Sequence, residues 1–230
     1  MFDDSLGLYV VCDGMGGRRR GELAAELAST AIRQYVESSR DPKEVTWPYG
    51  FSMQMSFAAN RLLTATKLAN RQVWRRSEEA IEYLGMGTTI TAALMDNGTA
   101  AIANIGDSRV YVWRGGKLEQ LSVDDSVNSA PTSAFAAESI RQPMLRSVLT
   151  RAAGSQENAD VHLKEWSLEE GDLLLLSSDG LHGVVGDARM ASILAGAGCP
   201  ESAAKALIAA ARESGAPDNV SAVVVGCKAG

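Results

Sequence analysis

The region between residues 88 and 121 restricts the fold most strongly, because short apolar runs alternate there with turn residues. Thr88–Met95, Ala100–Asn104 and Arg109–Trp113 have the composition of β-strands. Asn97-Gly98 separates the first two runs, and this dipeptide between apolar runs is a strong hairpin signal. Consecutive hairpins predict an antiparallel sheet and favour it over a series of βαβ units.

Helical periodicity flanks this region on both sides. Apolar residues recur at helical spacing from Gly21 to Val36 and from Phe51 to about Ile81, and Ala-rich helices are predicted over 187–196 and 200–214. Helices grouped before and after antiparallel hairpins predict an α+β fold. The sequence shows no internal repeat and no linker, so residues 1–230 are predicted to form one domain.

The remaining segments predict further strands and one loop. Leu6–Cys12 and Val220–Cys227 are predicted as the first and last strands. Val161–Trp166 and Asp172–Ser177 are predicted to pair with each other around a Glu-Glu-Gly turn. Residues 122–136 are rich in Ser, Asp, Ala and Pro, and we expect them to form a mobile loop.

The charge balance argues against several classes of protein. The chain has 22 Lys and Arg against 28 Asp and Glu, a net charge of −6, so nothing draws it generally to nucleic acid or anionic membrane. No apolar run approaches the roughly 20 residues of a transmembrane helix, and the N-terminus lacks a signal-peptide pattern. Cys12, Cys199 and Cys227 are widely spaced and favour neither disulfides nor a thiolate zinc site. We therefore expect a cytoplasmic protein.

Three aspartates lie next to predicted buried strands. Asp13 and Asp179 each follow an apolar run and precede a glycine, and Asp218 precedes the last strand. A rigid strand end can aim a carboxylate into a cleft, and oxygen ligands of this kind suit Mg²⁺ or Mn²⁺ better than Zn²⁺. Asp-Gly and Asp-Asn are also common turn dipeptides, so any one of the three alone is equally compatible with a plain turn.

Other polar residues have two interpretations each. Asp107 in Gly106-Asp107-Ser108-Arg109 is either an exposed turn residue or a further metal ligand. Thr88 and Thr89 are either ordinary strand formers or hydroxyls that orient water molecules bound to a metal. Arg18-Arg19-Arg20 predicts a solvated helix start, with phosphate attraction as the alternative, and His182 is predicted to be structural.

Together these segments resemble the bacterial branch of the metal-dependent serine/threonine protein phosphatases, the type 2C or PPM family. Met15 is typical of the bacterial members. The matching motifs occur in the family's order across nearly the whole chain: Val11-Cys12-Asp13-Gly14-Met15-Gly16-Gly17, Gly21-Glu22, Gly87-Thr88-Thr89, Gly106-Asp107-Ser108-Arg109, Thr150-Arg151-Ala152-Ala153-Gly154, Ser178-Asp179-Gly180-Leu181 and Asp218-Asn219-Val220-Ser221.

The resemblance implies a four-layer αββα sandwich, in which two antiparallel sheets are flanked by helices. It implies two Mn²⁺ or Mg²⁺ ions, with Asp13 bridging them and the Gly14 carbonyl as a ligand of one. Asp179 and Asp218 would bind the other ion, and Asp107 a third, weaker one. The implied reaction is hydrolysis of phosphoserine or phosphothreonine by a hydroxide that bridges the ions. The implied partner is a phosphoprotein, the product of a serine/threonine kinase.

The sequence also departs from the family pattern. The family normally begins with one more strand, which carries a phosphate-gripping arginine, and residues 1–12 correspond instead to the second strand and its turn. Asp125-Ser126 stands where relatives often have His-Ser, and Gly183 where some have a second carboxylate for the third metal. Residues 122–148 correspond to the family's variable flap near the active site.

Two other functions remain open at this stage. The first is a non-catalytic module of the same fold that binds a phosphoprotein or a signalling partner, because the first strand is missing from the match. The second is another two-metal hydrolase such as a nuclease, which the acidic charge disfavours.

Overall fold

The computed structural model describes residues 1–125 and 151–227 of the chain. The elements in chain order are β1 (Phe2–Asp3), β2 (Leu8–Val11), β3 (Gly14–Met15), α1 (Arg18–Ser38), α2 (Phe57–Glu79), a 3-10 turn (Ile81–Tyr83), β4 (Gly87–Thr88), β5 (Ile90–Asp96), β6 (Thr99–Ile105), β7 (Arg109–Arg114), β8 (Lys117–Gln120), β9 (His162–Ser167), β10 (Leu173–Ser177), α3 (Asp179–His182), α4 (Asp187–Gly196), α5 (Pro200–Glu213) and β11 (Ala222–Gly226).

The strands form two principal antiparallel sheets and one short ribbon. The first sheet has the order β1-β2-β5-β6-β9, and the second has the order β11-β10-β7-β8. The ribbon pairs β3 with β4 and brings Gly14 opposite Thr88. The Asn97-Gly98 turn joins β5 to β6, and Asn97 has the positive φ of 46° that such a turn requires.

Three apolar cores separate four layers. Alternate residues of β2, β5 and β6 pack on one side against α1 and α2 and on the other against the second sheet. The outer face of the second sheet packs against α3, α4 and α5. The predicted α+β fold and the αββα sandwich are therefore confirmed.

Small residues allow the close packing of α1 and α2. Ala24, Ala28 and Ala31 of α1 recur at helical spacing and are buried against the first sheet and α2. The second helix begins at Phe57, later than the predicted Phe51, because the Ser56 side chain accepts a hydrogen bond from the Ala59 amide and caps it there.

One predicted strand pairing is wrong. β9 pairs with β6 in the first sheet, whereas β10 lies between β7 and β11 in the second. The intervening turn therefore crosses between the two sheets instead of closing a hairpin. Burial explains the difference: residues 174–177 of β10 are all buried, as expected of a central strand, whereas β9 is an edge strand with exposed positions.

The two sheets differ at their outer edges. β1 covers the edge of β2, with Phe2 opposite Tyr9, so the strand predicted at Leu6–Cys12 has neighbours on both sides. Within the described residues, β11 pairs only with β10, and a groove of about 640 Å³ lies beside it. No helix in the described ranges is both long and apolar enough to span a bilayer.

Candidate metal centre

The strand registers bring the predicted aspartates to one end of the sandwich. β2 ends beside the start of β5, and β5 starts opposite the end of β6. In the second sheet, Ser177 at the end of β10 lies opposite both Arg109 and Ala222. The loops at this end carry the candidate ligands, which are Asp13 and Gly14 after β2, Asp107 between β6 and β7, Asp179 at the start of α3, and Asp218 before β11.

Backbone and hydroxyl hydrogen bonds fix Asp13 in place. Its amide donates to the Thr89 hydroxyl at 2.9 Å, and its carbonyl accepts from the Thr89 amide at 2.8 Å and the Thr88 hydroxyl at 3.0 Å. The Thr89 hydroxyl also bonds to that of Ser108 at 2.8 Å. The hydroxyls of Thr88 and Thr89 therefore fix the backbone of a candidate ligand, a role that neither interpretation of these residues included.

Gly14 lies where two segments of backbone touch. A Cβ atom placed on Gly14 would lie 2.0 Å from the Gly21 carbonyl oxygen, and one placed on Gly21 would lie 2.6 Å from the Gly14 carbonyl oxygen. Only glycine fits at both positions, which explains their recurrence in the two motifs. The first turn of α1 is thereby held against the loop that carries Asp13.

Asp179 and Asp218 are brought together by contacts between the loops that hold them. The Ser178 hydroxyl accepts from the Ser221 amide at 3.0 Å and donates to the Asn219 carbonyl at 3.3 Å. A Cβ at Gly180 would lie 2.1 Å from the same carbonyl oxygen. The Asp-Gly and Asp-Asn dipeptides therefore serve a close approach of two loops rather than two separate turns.

The clustered carboxylates oppose one another's ionisation. Burial and the nearby Asp179, Asp218 and Asp107 raise the pKa of Asp13 to about 7. Burial and Asp179 raise the pKa of Asp107 to about 6. Burial and Asp218 also raise the pKa of Asp179.

The donor chemistry fits a hard divalent cation. Four carboxylates and a backbone carbonyl supply only oxygen, and the repulsion among the carboxylates is what a bound cation relieves. Within residues 1–125 and 151–227, no three His, Cys, Asp or Glu side chains are arranged to hold a metal ion as they stand. The four aspartates are nevertheless close enough for Asp179, Asp218 and Asp107 each to raise the pKa of Asp13.

The metal-free protein is expected to lose stability as the pH rises from 3.8 to about 7, because in this window the folded state keeps a proton on Asp13 that the unfolded state has released. Melting temperatures in excess chelator across this range measure the effect. Asp13→Asn removes the group and should flatten the profile. Identical profiles for the two proteins would contradict the raised pKa.

The sequence analysis did not predict that Asp124 and Asp125 bind the residues on either side of Asp107. The Asp124 carboxylate accepts from Arg109 Nε at 3.0 Å and Nη2 at 2.7 Å, and Asp125 accepts from the Gly106 amide at 3.1 Å. Arg109 is thus part of a half-buried ion pair rather than an exposed charge.

Asp125 is 2% exposed, so the start of the predicted mobile loop at 122–136 is anchored. Residues 126–150, with most of the predicted flap at 122–148, lie outside the described residues.

The other candidates have structural roles. His182 is half-buried, its Nδ1 is 3.1 Å from the Ser177 hydroxyl, and loss of solvent together with nearby Arg109 lowers its pKa to about 4. Arg18 opens α1 with its side chain 92% exposed, as predicted for a solvated helix start. Gly183 follows α3, and its amide donates to the Asp179 carbonyl at 2.7 Å. Cys12, Cys199 and Cys227 are free thiols.

Comparisons with known proteins agree with this fold. The sequence model of the protein phosphatase 2C family matches residues 2–207. The serine/threonine phosphatase stp of Listeria welshimeri is 29% identical over 228 residues, which are 96% of this chain and 85% of that protein. Stp1 from Staphylococcus aureus is structurally similar, with a TM-score of 0.82 and 29% identity over 96% of this chain and 84% of that one.

A further structural relative was solved with metal. The catalytic domain of the phosphatase PstP, in complex with two manganese ions, has a TM-score of 0.75 and 30% identity over 94% of this chain and 86% of that one. The family match covers most of the chain, and the solved relatives share its fold. The chain therefore belongs to the protein phosphatase 2C family and is a metal-dependent serine/threonine protein phosphatase.

Proposed function

We propose that this chain hydrolyses phosphoserine and phosphothreonine in proteins at the cluster of Asp13, Asp107, Asp179 and Asp218. The observation that supports this most directly is that neighbouring carboxylates raise one another's pKa at one end of the sandwich, because a bound cation would relieve the repulsion in the ionised cluster. The relative solved with two manganese ions supports Mn²⁺ as the cation, with Mg²⁺ as the alternative.

The candidate ligands are assigned to two ions by their positions in the cluster. We propose that Asp13 and the Gly14 carbonyl hold one ion, and that Asp13, Asp179 and Asp218 hold the other. The hydrogen bonds from Thr88 and Thr89 keep the Asp13 backbone fixed while its carboxylate turns. When bound, the ions activate water for attack on phosphorus and neutralise charge on the phosphoryl oxygens. A cleft of about 540 Å³ beside Asp218, lined by Arg212 and Asn219, leaves room for the polypeptide around the phosphorylated residue.

Phosphate release from phosphoserine and phosphothreonine peptides in the presence of Mn²⁺ tests this proposal. We expect turnover of both peptides, and none of an unphosphorylated control. Metal binding and peptide binding without turnover would favour the non-catalytic module instead. We further propose that the substrates are cytoplasmic phosphoproteins made by a serine/threonine kinase.

We also propose that the domain takes one more strand at the open edge of β11. Within the described residues, the groove beside β11 is bordered by Phe2, Tyr9 and Ala204, and Val223 and Val224 are only half-buried there. An unpaired strand edge flanked by apolar side chains favours addition of a strand. The family pattern places a strand with a phosphate-gripping arginine before the segment that corresponds to residues 1–12.

Adding the first strand of a relative before Met1, about 15–20 residues, is therefore expected to raise both the melting temperature and phosphopeptide turnover. The new strand pairs its backbone groups with those of β11 and covers apolar surface. A Gly/Ser extension of equal length is the matched control. Equal melting temperatures and rates for the two extended proteins would contradict the proposal.

A further inference from the structure

Asp125 is a buried carboxylate whose partners are of two kinds. One is the backbone of the turn that carries Asp107, and the others are basic side chains. One carboxylate oxygen accepts from the Gly106 amide at 3.1 Å, and the Asp125 amide donates back to the Gly106 carbonyl at 2.9 Å. The other oxygen lies 3.1 Å from Arg151 Nε and 2.9 Å from His162 Nε2. The side chain is therefore saturated, and its charge is balanced inside the fold.

The neighbouring Asp124 holds the other side of the same turn. Its two oxygens accept from Arg109, which follows Asp107 by two positions on the chain. The Gln120 amide adds a hydrogen bond to Asp124 at 2.9 Å. Asp107 therefore lies between two residues that are held in place, Gly106 by Asp125 and Arg109 by Asp124. Neither residue can shift without breaking these hydrogen bonds.

The turn has little freedom of its own. Gly106 has a φ of 101°, and a Cβ there would lie 2.7 Å from Thr89 Cγ2. Ser108 is joined to Thr89 through their hydroxyls, and Thr89 in turn holds the backbone of Asp13. A displacement of the Gly106 side of the turn therefore acts first on Asp107, and only through Ser108 and Thr89 on Asp13.

We propose that Asp125 is a positioning residue that sets how tightly Asp107 holds a divalent cation. The inference rests on the proposed function and on the third, weaker ion that the family resemblance implies at Asp107. Arg151 and His162 act on the metal only indirectly, because they balance the Asp125 charge and keep its other oxygen directed away from the cluster. Partners of this kind commonly change metal affinity by about 10–100-fold when they are removed.

Calorimetric titration with Mn²⁺ tests the proposal without measuring activity. The wild-type protein should show two tighter sites and one weaker site, and Asp107→Asn should remove the weaker site. Asp125→Asn keeps the shape but loses the charge opposite Arg151, so it should weaken that site about 10-fold and leave the tighter two unchanged. Arg151→Gln should weaken the same site less, and its partly exposed position protects the fold.

Asp172→Asn is the matched control. Asp172 is 1% exposed, is paired with Arg114 and precedes β10, at the opposite end of the second sheet from the cluster. It should lower the melting temperature as Asp125→Asn does, but leave all Mn²⁺ affinities unchanged.

The outcomes separate the two proposals. A weaker site that is unchanged in Asp125→Asn and Arg151→Gln overturns the role of Asp125 and leaves the proposed function standing. If the wild-type protein shows two tighter sites and no weaker one, the role of Asp125 is likewise overturned and the proposed function still stands. Absence of all Mn²⁺ binding to the wild-type protein overturns both proposals. Equal weakening of the site in Asp172→Asn also overturns the role of Asp125, because it shows a general effect of lost stability.

Discussion

Asp13→Asn is expected to lower kcat/KM by at least about 10³-fold, or about 4 kcal/mol of transition-state stabilisation. Asp13 is the carboxylate that the cluster shares, since its pKa responds to Asp179, Asp218 and Asp107 together. Asparagine keeps nearly the same volume and the same backbone hydrogen bonds to Thr89. The loss of rate therefore reports the missing charge and not a misplaced loop.

The same substitution should stabilise the metal-free protein at neutral pH. It removes a carboxylate whose ionisation is opposed by burial and by three neighbours. After allowance for screening by solvent at this half-exposed site, we expect a gain of about 1–2 kcal/mol in the free energy of unfolding. Phosphopeptide kinetics with Mn²⁺ and chemical denaturation in chelator measure the two effects.

Asp96→Asn provides the matched control for this pair of effects. Asp96 is an exposed aspartate beside the β5–β6 turn, at the end of the sheet opposite the cluster. It should change neither the rate nor the stability by a comparable amount. A variant at Asp13 that retains most of the wild-type rate would remove this residue from the metal centre.

The metal centre could be predicted because its residues follow directly from local sequence. A strand of consecutive apolar residues has two buried faces, and the first charged residue after it is expected to lie at a sheet end. Asp13 and Asp179 fulfil this condition, and the hairpin signals between residues 88 and 121 fix which strand ends meet. These short-range patterns place Asp13 and Asp179 at strand ends, whereas the approach of Asp179 to Asp13 also depends on the pairing of β10 with β7 and β11.

The β9–β10 pairing could not be predicted in the same way. A Glu-Glu-Gly turn between two strands has the same local appearance whether it closes a hairpin or crosses between sheets. β10 lies between β7 and β11 in the second sheet, so both of its edges are occupied and it does not pair with β9. That arrangement depends on contacts between residues far apart in the chain.

Asp125 was missed for a related reason. It lies in a stretch whose composition is typical of a solvated loop, and buried charge is unfavourable unless partners surround it. Its partners come from elsewhere: Gly106 lies 19 positions before it and His162 lies 37 positions after it. The composition of a few consecutive residues therefore cannot predict these contacts.

Removal of divalent cations is expected to lower phosphopeptide turnover by at least about 10³-fold, with recovery when Mn²⁺ or Mg²⁺ is added in excess. Without cations, the carboxylates of Asp179, Asp218 and Asp107 lie close enough to Asp13 to oppose its ionisation, so the cluster gathers negative charge in one place. A phosphate monoester is also negatively charged at neutral pH. The metal-free cluster therefore repels the group that it should bind, so we expect KM to rise as well as kcat to fall.

The fold itself should survive this treatment, which separates loss of metal from loss of structure. The three apolar cores are formed by residues of the sheets and helices, and none of the candidate ligands belongs to them. Circular dichroism in excess chelator should therefore match that of the metal-loaded protein, while phosphate release stops. Undiminished phosphate release in excess chelator would contradict catalysis at this cluster, because four carboxylates without cations have no means of stabilising a phosphoryl group in transfer.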